Sequence, residues 1–416
     1  MKASPLPFLG IAFFGLLLAQ NISHALAQNW VQTSAPNDSW TSVACSADGT
    51  KLIAVAYNGP MYISTNSGAT YSLSGAPYTN WLGIAASAEG TKLLAVNGGV
   101  PLIQTNGQTS NPYTPFYVST NSGATWTETN FVYAHWGGPV SSPTSVASSA
   151  DGRTFLAAAP EGIYFSTNSG ATWSVPSAPN VSWSSIACSA NGQRCVATPL
   201  CFSICVSIDS GATWTVTGAP TNNWVSVATS ADGTKLVAAA NLGYCGDGLI
   251  YTSTNSGATW RPTGAPSEFW ATVASSADGT RLVAASRGGC PAGVIYASTN
   301  AGATWIRSNV PEIPWWSVAS SADGAKLVAA AWGSPIYTSQ TLPSLSLNVA
   351  VSGSDLSLSW TVPSIHFVLQ QNSDLRTTNW TDVATPPALN LTNLQYQVTV
   401  AGTNASRFYR LKAFQN

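Results

Sequence analysis

Five acidic residues are the side chains of this sequence best placed for general acid–base chemistry: Asp38, Glu161, Asp247, Glu268 and Glu312. The chain is built from repeated units, and we expect these acids in loops on one common face. Glu268, Glu312 and Asp38 occupy corresponding loops of units six, seven and one, which would be neighbours in a ring. A glycoside hydrolase needs two carboxyl groups about 5–10 Å apart, so this trio could supply an acid–base pair. Surface loops also carry acids that have no catalytic role, and we favour that alternative.

Tryptophan begins the first strand of most units, eight residues before an Asp-Gly position. Aromatic rings at the mouth of a channel could stack on sugars or clamp a peptide. Strict recurrence fits packing between units better, yet we keep the recurring positions as binding candidates: Trp40, Trp81, Trp183, Trp224, Trp270 and Trp315. Aromatic and cationic residues that do not recur are the stronger binding candidates: Tyr113 and Phe116 at the insertion, the stretch 131–136 with His135 and Trp136, and Phe269, Trp316, Trp332 and Arg287.

Other catalytic chemistry has little support in the sequence. No paired-histidine spacing and no Cys-x-x-Cys motif predicts a metal site, and no glycine-rich loop predicts a bound phosphate. We therefore expect neither a metal nor a cofactor. No Gly-x-Ser-x-Gly motif frames a nucleophilic serine. Enzymatic activity stays open, and we favour a protein without it.

The seven cysteines are informative in a chain that we expect to be exported. Cys245 and Cys290 occupy corresponding loops of adjacent units, so a disulfide between them is plausible. Cys188 and Cys195 flank an Asn-Gly turn. A two-residue turn would place them opposite each other, whereas a bulged turn would point them to opposite faces, and the sequence leaves this open. Cys45, at the position equivalent to Cys188, is expected to be a buried free thiol.

Repeats dominate the sequence. Their Asp-Gly position falls at residues 48, 89, 151, 191, 232, 278 and 323, with one insertion near residues 104–114. Each unit is predicted to hold four strands, and four strands in about 40–45 residues are typical of a propeller blade. The seventh unit lacks a fourth strand, and residues 29–36 resemble the fourth-strand stretch 213–220. We predict an all-β fold: a seven-bladed β-propeller closed by the N-terminal strand.

A second motif ends six of the units. Ser-Thr-Asn-Ser-Gly-Ala-Thr-Trp, at 119–126, 166–173 and 253–260, resembles the Asp-box of propellers that include sialidases, xyloglucanases, sortilin-type receptors and a photosystem II assembly factor. The resemblance implies that the third residue of each box caps a hairpin turn. Those residues are Asn66, Asn121, Asn168, Asp209, Asn255 and Asn300. The resemblance also places these hairpins on the face of the propeller away from the ligand, which we call the turn face. The opposite face, which we call the loop face, carries the connections from second to third strands and from fourth to first strands.

Sialidase activity is disfavoured. It would require an Arg-Ile-Pro motif and three arginines that grip the substrate carboxylate, a role that other residues fill poorly. The motif is absent from the sequence, and Arg287 is the one arginine of the repeats that we expect on the loop face.

Composition narrows the remaining classes. Only 7% of the residues are charged and the net charge is −1, which leaves no basic surface for nucleic acid. Residues 1–27 combine Lys2, an apolar stretch and the segment Ala25-Leu26-Ala27, the pattern of a cleaved signal peptide. No later segment is long and apolar enough to span a membrane. We expect a soluble monomer, secreted or held at the cell surface.

Residues 343–416 depart from the repeat, which leaves 28–342 as the propeller domain. Apolar and polar residues alternate there, as in Leu356-Ser357-Leu358-Ser359-Trp360. This alternation predicts a small antiparallel β-sandwich, which resembles a fibronectin type III module.

These patterns favour a secreted, non-catalytic binding or scaffold propeller that recognises a glycan or an extracellular protein on its loop face. One alternative is a glycoside hydrolase that uses two of Glu268, Glu312 and Asp38. Another, which follows from the resemblance to the photosystem factor, is an assembly factor for a membrane complex.

Overall fold

The fold is all-β, as the sequence predicts. The computed structural model describes residues 30–98, 116–129, 144–160, 162–241, 248–288, 293–341, 347–352, 355–361, 367–391, 394–401 and 407–413. Within these ranges every regular element is a β-strand, and no helix could cross a membrane. Several predictions concern residues outside the described ranges and stay predictions: the leader 1–27, the Cys245–Cys290 disulfide, and the site candidates Glu161, Asp247, Tyr113 and the stretch 131–136 with His135 and Trp136.

The strands follow the repeats in chain order, beginning with β1 at Trp30–Gln32. Repeats one to three contribute β2 (Asp38–Cys45), β3 (Leu52–Ala56), β4 (Met61–Ser64), β5 (Ser72–Leu73), β6 (Trp81–Ala86), β7 (Leu93–Asn97), β8 (Phe116–Ser119), β9 (Thr127–Thr129), β10 (Ser145–Ser148), β11 (Phe155–Ala159) and β12 (Gly162–Ser166). Repeats four and five contribute β13 (Trp183–Cys188), β14 (Cys195–Pro199), β15 (Cys205–Ser207), β16 (Thr215–Val216), β17 (Trp224–Thr229), β18 (Leu236–Ala240), β19 (Leu249–Ser253) and β20 (Arg261–Pro262). Repeats six and seven contribute β21 (Trp270–Ser275), β22 (Leu282–Ser286), β23 (Ile295–Ser298), β24 (Ile306–Arg307), β25 (Trp315–Ser320), β26 (Lys326–Ser334) and β27 (Tyr337–Gln340).

Most repeats form a four-stranded antiparallel sheet in sequence order, such as β17-β18-β19-β20. The second strand of each repeat is mostly apolar, and its first five residues are buried. Successive side chains point to opposite faces of the sheet, so both faces of this strand are covered. In β18, Leu236 and Ala238 pack in one cluster with Val196 of repeat four. Val237, between them, packs with Val273 of repeat six. Each sheet is thus held between its two neighbours.

The N-terminal strand completes the sheet of repeat seven. Strand β1 pairs antiparallel with β27, with Trp30 opposite Ser339 and Gln32 opposite Tyr337. This is the place that a fourth strand takes in the other repeats, so a segment from the start of the chain lies on the last repeat. The pairing covers the outer edge of β27, which would otherwise expose unpaired backbone groups.

A ring of backbone hydrogen bonds links the repeats on the turn face. In each Ser-Ala-x-Gly turn, the alanine N–H donates to the carbonyl of the alanine in the following repeat. The N–H of Ala47 donates to Ala88 O at 2.7 Å, and the series ends with Ala322 N–H, which donates to Ala47 O at 2.7 Å. The members are Ala47, Ala88, Ala150, Ala190, Ala231, Ala277 and Ala322. Each buried turn amide therefore has a partner in the neighbouring repeat.

Side-chain hydrogen bonds hold the box hairpins. In repeat one, Asn66 Oδ1 accepts the N–H of Thr70 at 2.9 Å, and Ser64 Oγ accepts the N–H of Gly68 at 2.9 Å. Gly68 has a φ of +89°, which favours glycine. The bond to the third residue recurs in the other boxes, at Asn121, Asn168, Asp209, Asn255 and Asn300. Asparagine and aspartate therefore cap this turn in the same way.

The C-terminal region forms two further antiparallel sheets. Its strands are β28 (Asn348–Ser352), β29 (Asp355–Thr361), β30 (Phe367–Asn372), β31 (Thr381–Asp382), β32 (Ala388–Asn390), β33 (Gln395–Ala401) and β34 (Phe408–Ala413). One sheet has the order β28-β29-β33-β32 and the other β31-β30-β34. Leu358, Trp360 and Val398 of the first sheet pack with Leu369 of the second in one core.

Candidate functional site

The first strands of the repeats surround a cavity of about 310 Å³. Hydroxyl side chains line much of it: Thr41, Ser42, Thr144, Ser145, Ser184, Ser185, Ser226, Thr272 and Ser317. Some of these hydroxyls also link the first strands of adjacent repeats. For example, Ser226 Oγ in β17 accepts the N–H of Val273 in β21 at 3.1 Å. The volume lies at the lower end of the range for ligand pockets, about 300–1,000 Å³. The cavity can therefore hold a small polar group.

An aromatic stack stands at one side of the cavity. The guanidinium of Arg287 lies 3.9 Å from the ring centroid of Trp316, and both residues line the cavity. Trp316 lies 5.4 Å from Trp332, centroid to centroid, and Trp332 lies 5.7 Å from Tyr57. The outer two side chains, Trp332 and Tyr57, are 41% and 44% exposed. The aromatic stack, as we call these four residues, combines a cation with flat apolar surface open to solvent.

Three members of the aromatic stack share one position in the repeat. Arg287, Trp332 and Tyr57 each stand nine residues after the Asp-Gly position of repeats six, seven and one. The remaining repeats place other residues there: Gly98, Pro160, Leu200 and Asn241. Because repeats seven and one are joined by the pairing of β26 with β2, these three copies are consecutive in space as well. A local departure from the repeat therefore produces the stack.

Strand pairing fixes the position of Trp332. Strand β26 has nine residues, whereas the second strands of the other repeats have five. Its extension pairs with the start of β2, with Trp332 opposite Ser39. Gly333, with a φ of +68°, follows directly. Trp332 is thus presented from a hydrogen-bonded strand, which favours a preformed binding surface.

Phe269 supports the stack through its backbone. Its carbonyl accepts the N–H of Arg287 at 2.9 Å, and its side chain is half-buried. Trp316 and Arg287, both predicted as binding residues, line the cavity. Phe269, predicted with them, contacts Arg287 through its backbone carbonyl.

The recurring tryptophans are buried, whereas a ring that binds a ligand must be exposed. Their side chains are at most 1% exposed: Trp40, Trp81, Trp183, Trp224, Trp270 and Trp315. Five of them meet a tyrosine of their own sheet edge to face, as Trp224 meets Tyr251 at 5.2 Å. Rings without accessible surface cannot stack on a ligand, so these six belong to the core between repeats and are not binding residues. The same holds for Phe116, which is 0% exposed and lies in a core cluster.

The three candidate catalytic acids are engaged elsewhere. Glu268 is 6% exposed, accepts a hydrogen bond from Tyr296 Oη at 3.4 Å, and has its pKa raised by burial. Glu312 forms an ion pair with Arg307 of the outer strand β24. Asp38 accepts the N–H of Ser39 at 2.8 Å. Among the described residues that line the cavity, none is acidic.

The opposite mouth of the ring meets the C-terminal region. A second cavity, of about 160 Å³, is lined by alanines of the turn-face ring and by Leu394. Leu394 has a φ of +53°, a conformation that is unusual for a branched side chain. Leu389 and Tyr396 pack beside it against Ala47 and the other turn alanines. Burial raises the pKa of Tyr396, and Asp48 and Glu89 contribute to the shift.

No cluster of three or more metal-ligating side chains occurs in the described part of the chain. The geometry instead resembles a binding surface: a polar cavity with a rigid aromatic rim at the loop face, and a covered mouth at the turn face. Tyr57 is the member of the aromatic stack that is not among the residues predicted from the sequence. Its position nine residues after the Asp-Gly position, which it shares with Arg287 and Trp332, could have identified it.

Solved structures share this architecture. One is the family GH74 xyloglucanase from Xanthomonas campestris, 16% identical, with a TM-score of 0.57 over 80% of this chain and 59% of that one. Another is YCF48 from Cyanidioschyzon merolae, 14% identical, with a TM-score of 0.55 over 75% of this chain and 98% of that one. The repeat region is a β-propeller. YCF48 bound to D1 peptide is similar as well, at 13% identity and a TM-score of 0.54 over 76% and 97% of the two chains.

These likenesses establish the fold of the propeller and nothing finer. The chain spans 59% of the length of the xyloglucanase. No protein-family model matches the sequence, and no curated protein matches it significantly.

Proposed function

We propose that this chain is a non-catalytic binding protein that takes a glycan at the loop-face mouth of its propeller. The observation that carries the proposal is the aromatic stack, in which Trp332 and Tyr57 are exposed while Trp316 and Arg287 line the cavity. A contiguous exposed apolar patch often marks a ligand-binding groove or an interaction site.

Sugar chemistry fits the two parts of this surface. The apolar face of a pyranose ring packs on a tryptophan ring, so Trp332 offers a platform for one sugar unit. The hydroxyls that line the cavity can exchange hydrogen bonds with a second unit. Arg287 adds five donors at the junction, which suits a hydroxyl-rich or acidic sugar.

A binding role without turnover is supported by the state of the acids. A glycosidase needs an acid and a base, or a nucleophile, on either side of one bond. Glu268 is buried against Tyr296, and Glu312 is paired with Arg307 at the outer strand, away from the first strands that form the cavity. These positions favour binding without turnover. A glycoside hydrolase is one alternative, and a propeller that binds a protein is the other.

The proposal includes the number of propeller blades, the export of the protein and the type of its C-terminal module. The N-terminal pairing and the ring of seven alanine turns support a seven-bladed propeller closed by its first strand. The leader pattern of residues 1–27 supports export, and a β-sandwich similar to fibronectin type III modules would follow the propeller.

The test is a glycan array of neutral and acidic polysaccharides, probed with the purified chain and with Trp332→Ala. We expect signal on a subset of glycans for the parent and loss of that signal for the variant. Chromogenic glycosides should show no turnover. Turnover that Glu268→Gln abolishes would establish the hydrolase instead. An array without signal, combined with capture of a defined peptide by the same mouth, would establish the protein-binding alternative.

A further inference from the structure

Repeat four carries two cysteines that face each other across its first hairpin. Cys188 ends β13 and Cys195 begins β14, and the register places them directly opposite. Directly opposite residues of an antiparallel pair project to the same face of the sheet. The sequence left two arrangements open, and the register decides for the one in which the two thiols are neighbours.

Hydrogen bonding in the turn sets their separation. Ser189 N–H donates to Arg194 O at 2.7 Å, which makes Ser189 and Arg194 a hydrogen-bonded pair. Such pairs alternate along an antiparallel ladder, so Cys188 and Cys195 form a non-hydrogen-bonded pair. The Cα atoms of that kind of pair lie about 4.5 Å apart, which is within the range of about 4.4–6.8 Å that a disulfide spans.

The other repeats show what this position normally holds. The residue opposite the end of the first strand is a leucine or a phenylalanine in all six: Leu52, Leu93, Phe155, Leu236, Leu282 and Leu327. Repeat four replaces that large core side chain with Cys195, which is 3% exposed. In the structure both thiols are free, and Cys195 Sγ lies 3.7 Å from Gly192 O. A bond to Cys188 would place a second sulfur in the space that leucine fills elsewhere.

The remaining cysteines of this repeat fit less well. Cys205 lies opposite Ala197, so it is diagonal to Cys195. Diagonal Cα atoms are about 7–8 Å apart, beyond what a disulfide bridges without backbone movement. Cys201 follows the end of β14, is exposed, and lies six residues from Cys195.

We propose that Cys188 and Cys195 form a disulfide when the protein folds in an oxidising compartment. The oxidant is a disulfide such as that of glutathione. Its S–S bond takes two electrons and two protons from the protein thiols, one S–S bond forms between Cys188 and Cys195, and two glutathione thiols leave. Burial raises the pKa of Cys188 to about 12 and that of Cys195 well above its usual value. Because the thiolate is the reacting species, the bond forms during folding, before the hairpin is packed.

Trypsin gives a direct test, because the Arg194–Cys195 peptide bond is a cleavage site between the two cysteines. The full chain is unfolded with reductant, refolded with reduced and oxidised glutathione, alkylated and digested. Without reductant, we expect the peptide that ends at Arg194 to remain joined to the peptide that begins at Cys195, and reductant should separate them. Fragmentation should place the link at Cys195. Alkylation of both cysteines, or a link from Cys188 to Cys201 or Cys205, would overturn the proposal.

Cys45 provides the matched control. It holds the position of Cys188 in repeat one, but Leu52 lies opposite. Cys45→Ser should leave the linked peptides unchanged, whereas Cys188→Ser should remove them and leave Cys195 alkylated. Linked peptides that persist in Cys188→Ser, or that vanish in Cys45→Ser, would contradict the pairing.

Discussion

Trp332 packs against Trp316 with a centroid distance of 5.4 Å and an angle of 42° between the ring planes, and the pair joins the exposed surface of the loop face to the cavity inside the propeller. Both tryptophans lie in repeat seven, beside the recurring Trp315, which is fully buried. One repeat therefore contains tryptophans with opposite roles. Trp315, Trp316 and Trp332 differ in exposure, so replacing the buried and the exposed tryptophans separately distinguishes an effect on stability from an effect on binding.

The recurring tryptophans should carry stability. Trp224 packs with Val196 and Ile204 of the preceding repeat. Trp224→Ala leaves a large cavity there, and such changes cost about 3–5 kcal/mol. Denaturant unfolding should show this loss. Trp332→Ala removes a ring that is 41% exposed and packs against Trp316 and Tyr57, so it should cost about 1–2 kcal/mol, clearly less than Trp224→Ala. Equal losses in the two variants would contradict the assignment.

The N-terminal strand should contribute to the stability of the whole propeller. Trp30 packs with Trp315 and Tyr337 of repeat seven, whereas its neighbour Val31 is 63% exposed. We expect Trp30→Ala to cost about 2 kcal/mol, less than a fully buried tryptophan, and Val31→Ala to be nearly neutral. Deletion of residues 29–34 should lower the melting temperature more than either substitution. A deletion variant that melts like the parent would show that β1 does not close the ring.

The C-terminal region should dock through Leu394. Leu394→Asp would place a charge among the turn alanines, in a cavity whose described lining has no charged side chain to pair with it. Small-angle scattering should show a larger radius of gyration, while circular dichroism reports an intact propeller. Leu375→Asp is the control, because Leu375 is 61% exposed in the same region. Unchanged scattering for Leu394→Asp would contradict the docking.

Stability should fall in acid because of the turn aspartates. Burial opposes ionisation of Asp48, Asp232 and Asp278, but hydrogen bonds from the neighbouring Ser and Thr outweigh it, so each folded-state pKa is lowered. A lowered pKa stabilises the fold above the unfolded value of about 3.9, and this contribution is lost as the pH falls through the folded value.

Asparagine makes the same turn bonds in repeat four, where Asn191 Oδ1 accepts the N–H of Gln193 at 3.0 Å. The triple variant Asp48→Asn, Asp232→Asn, Asp278→Asn should therefore lose less stability between neutral pH and pH about 3 than the parent does. Melting temperatures across that range provide the measurement. The same decline in both proteins would rule out these carboxylates as its source.

The repeat made most of the fold predictable. The Asp-Gly turns and boxes mark the strand junctions, and the likeness of residues 29–36 to a fourth strand predicts the pairing of β1 with β27 that the structure contains. The binding surface was harder to predict, because tryptophan is both a core residue and a ligand platform. Its role depends on whether a neighbouring repeat covers the ring. Recurrence favours coverage, and the departures at Tyr57, Arg287 and Trp332 mark the surface.

Two features of the structure could not be predicted from individual residues of the sequence. The side on which Cys188 and Cys195 project depends on the hydrogen-bond register of a turn, which the Asn-Gly pair alone leaves undetermined. The contact of Leu394 with the alanine ring depends on how two differently folded regions meet, and no local pattern near Leu394 encodes that.

The central claim is that the aromatic stack binds a ligand. Titration calorimetry of the glycan that gives the strongest array signal, with the parent, Trp332→Ala and Ile208→Ala, tests it most directly. Ile208 is 75% exposed and lies in a turn-face box. We predict that Trp332→Ala weakens binding at least about tenfold, or roughly 1.4 kcal/mol, and that Ile208→Ala binds like the parent. Equal affinity of Trp332→Ala and the parent would contradict the account.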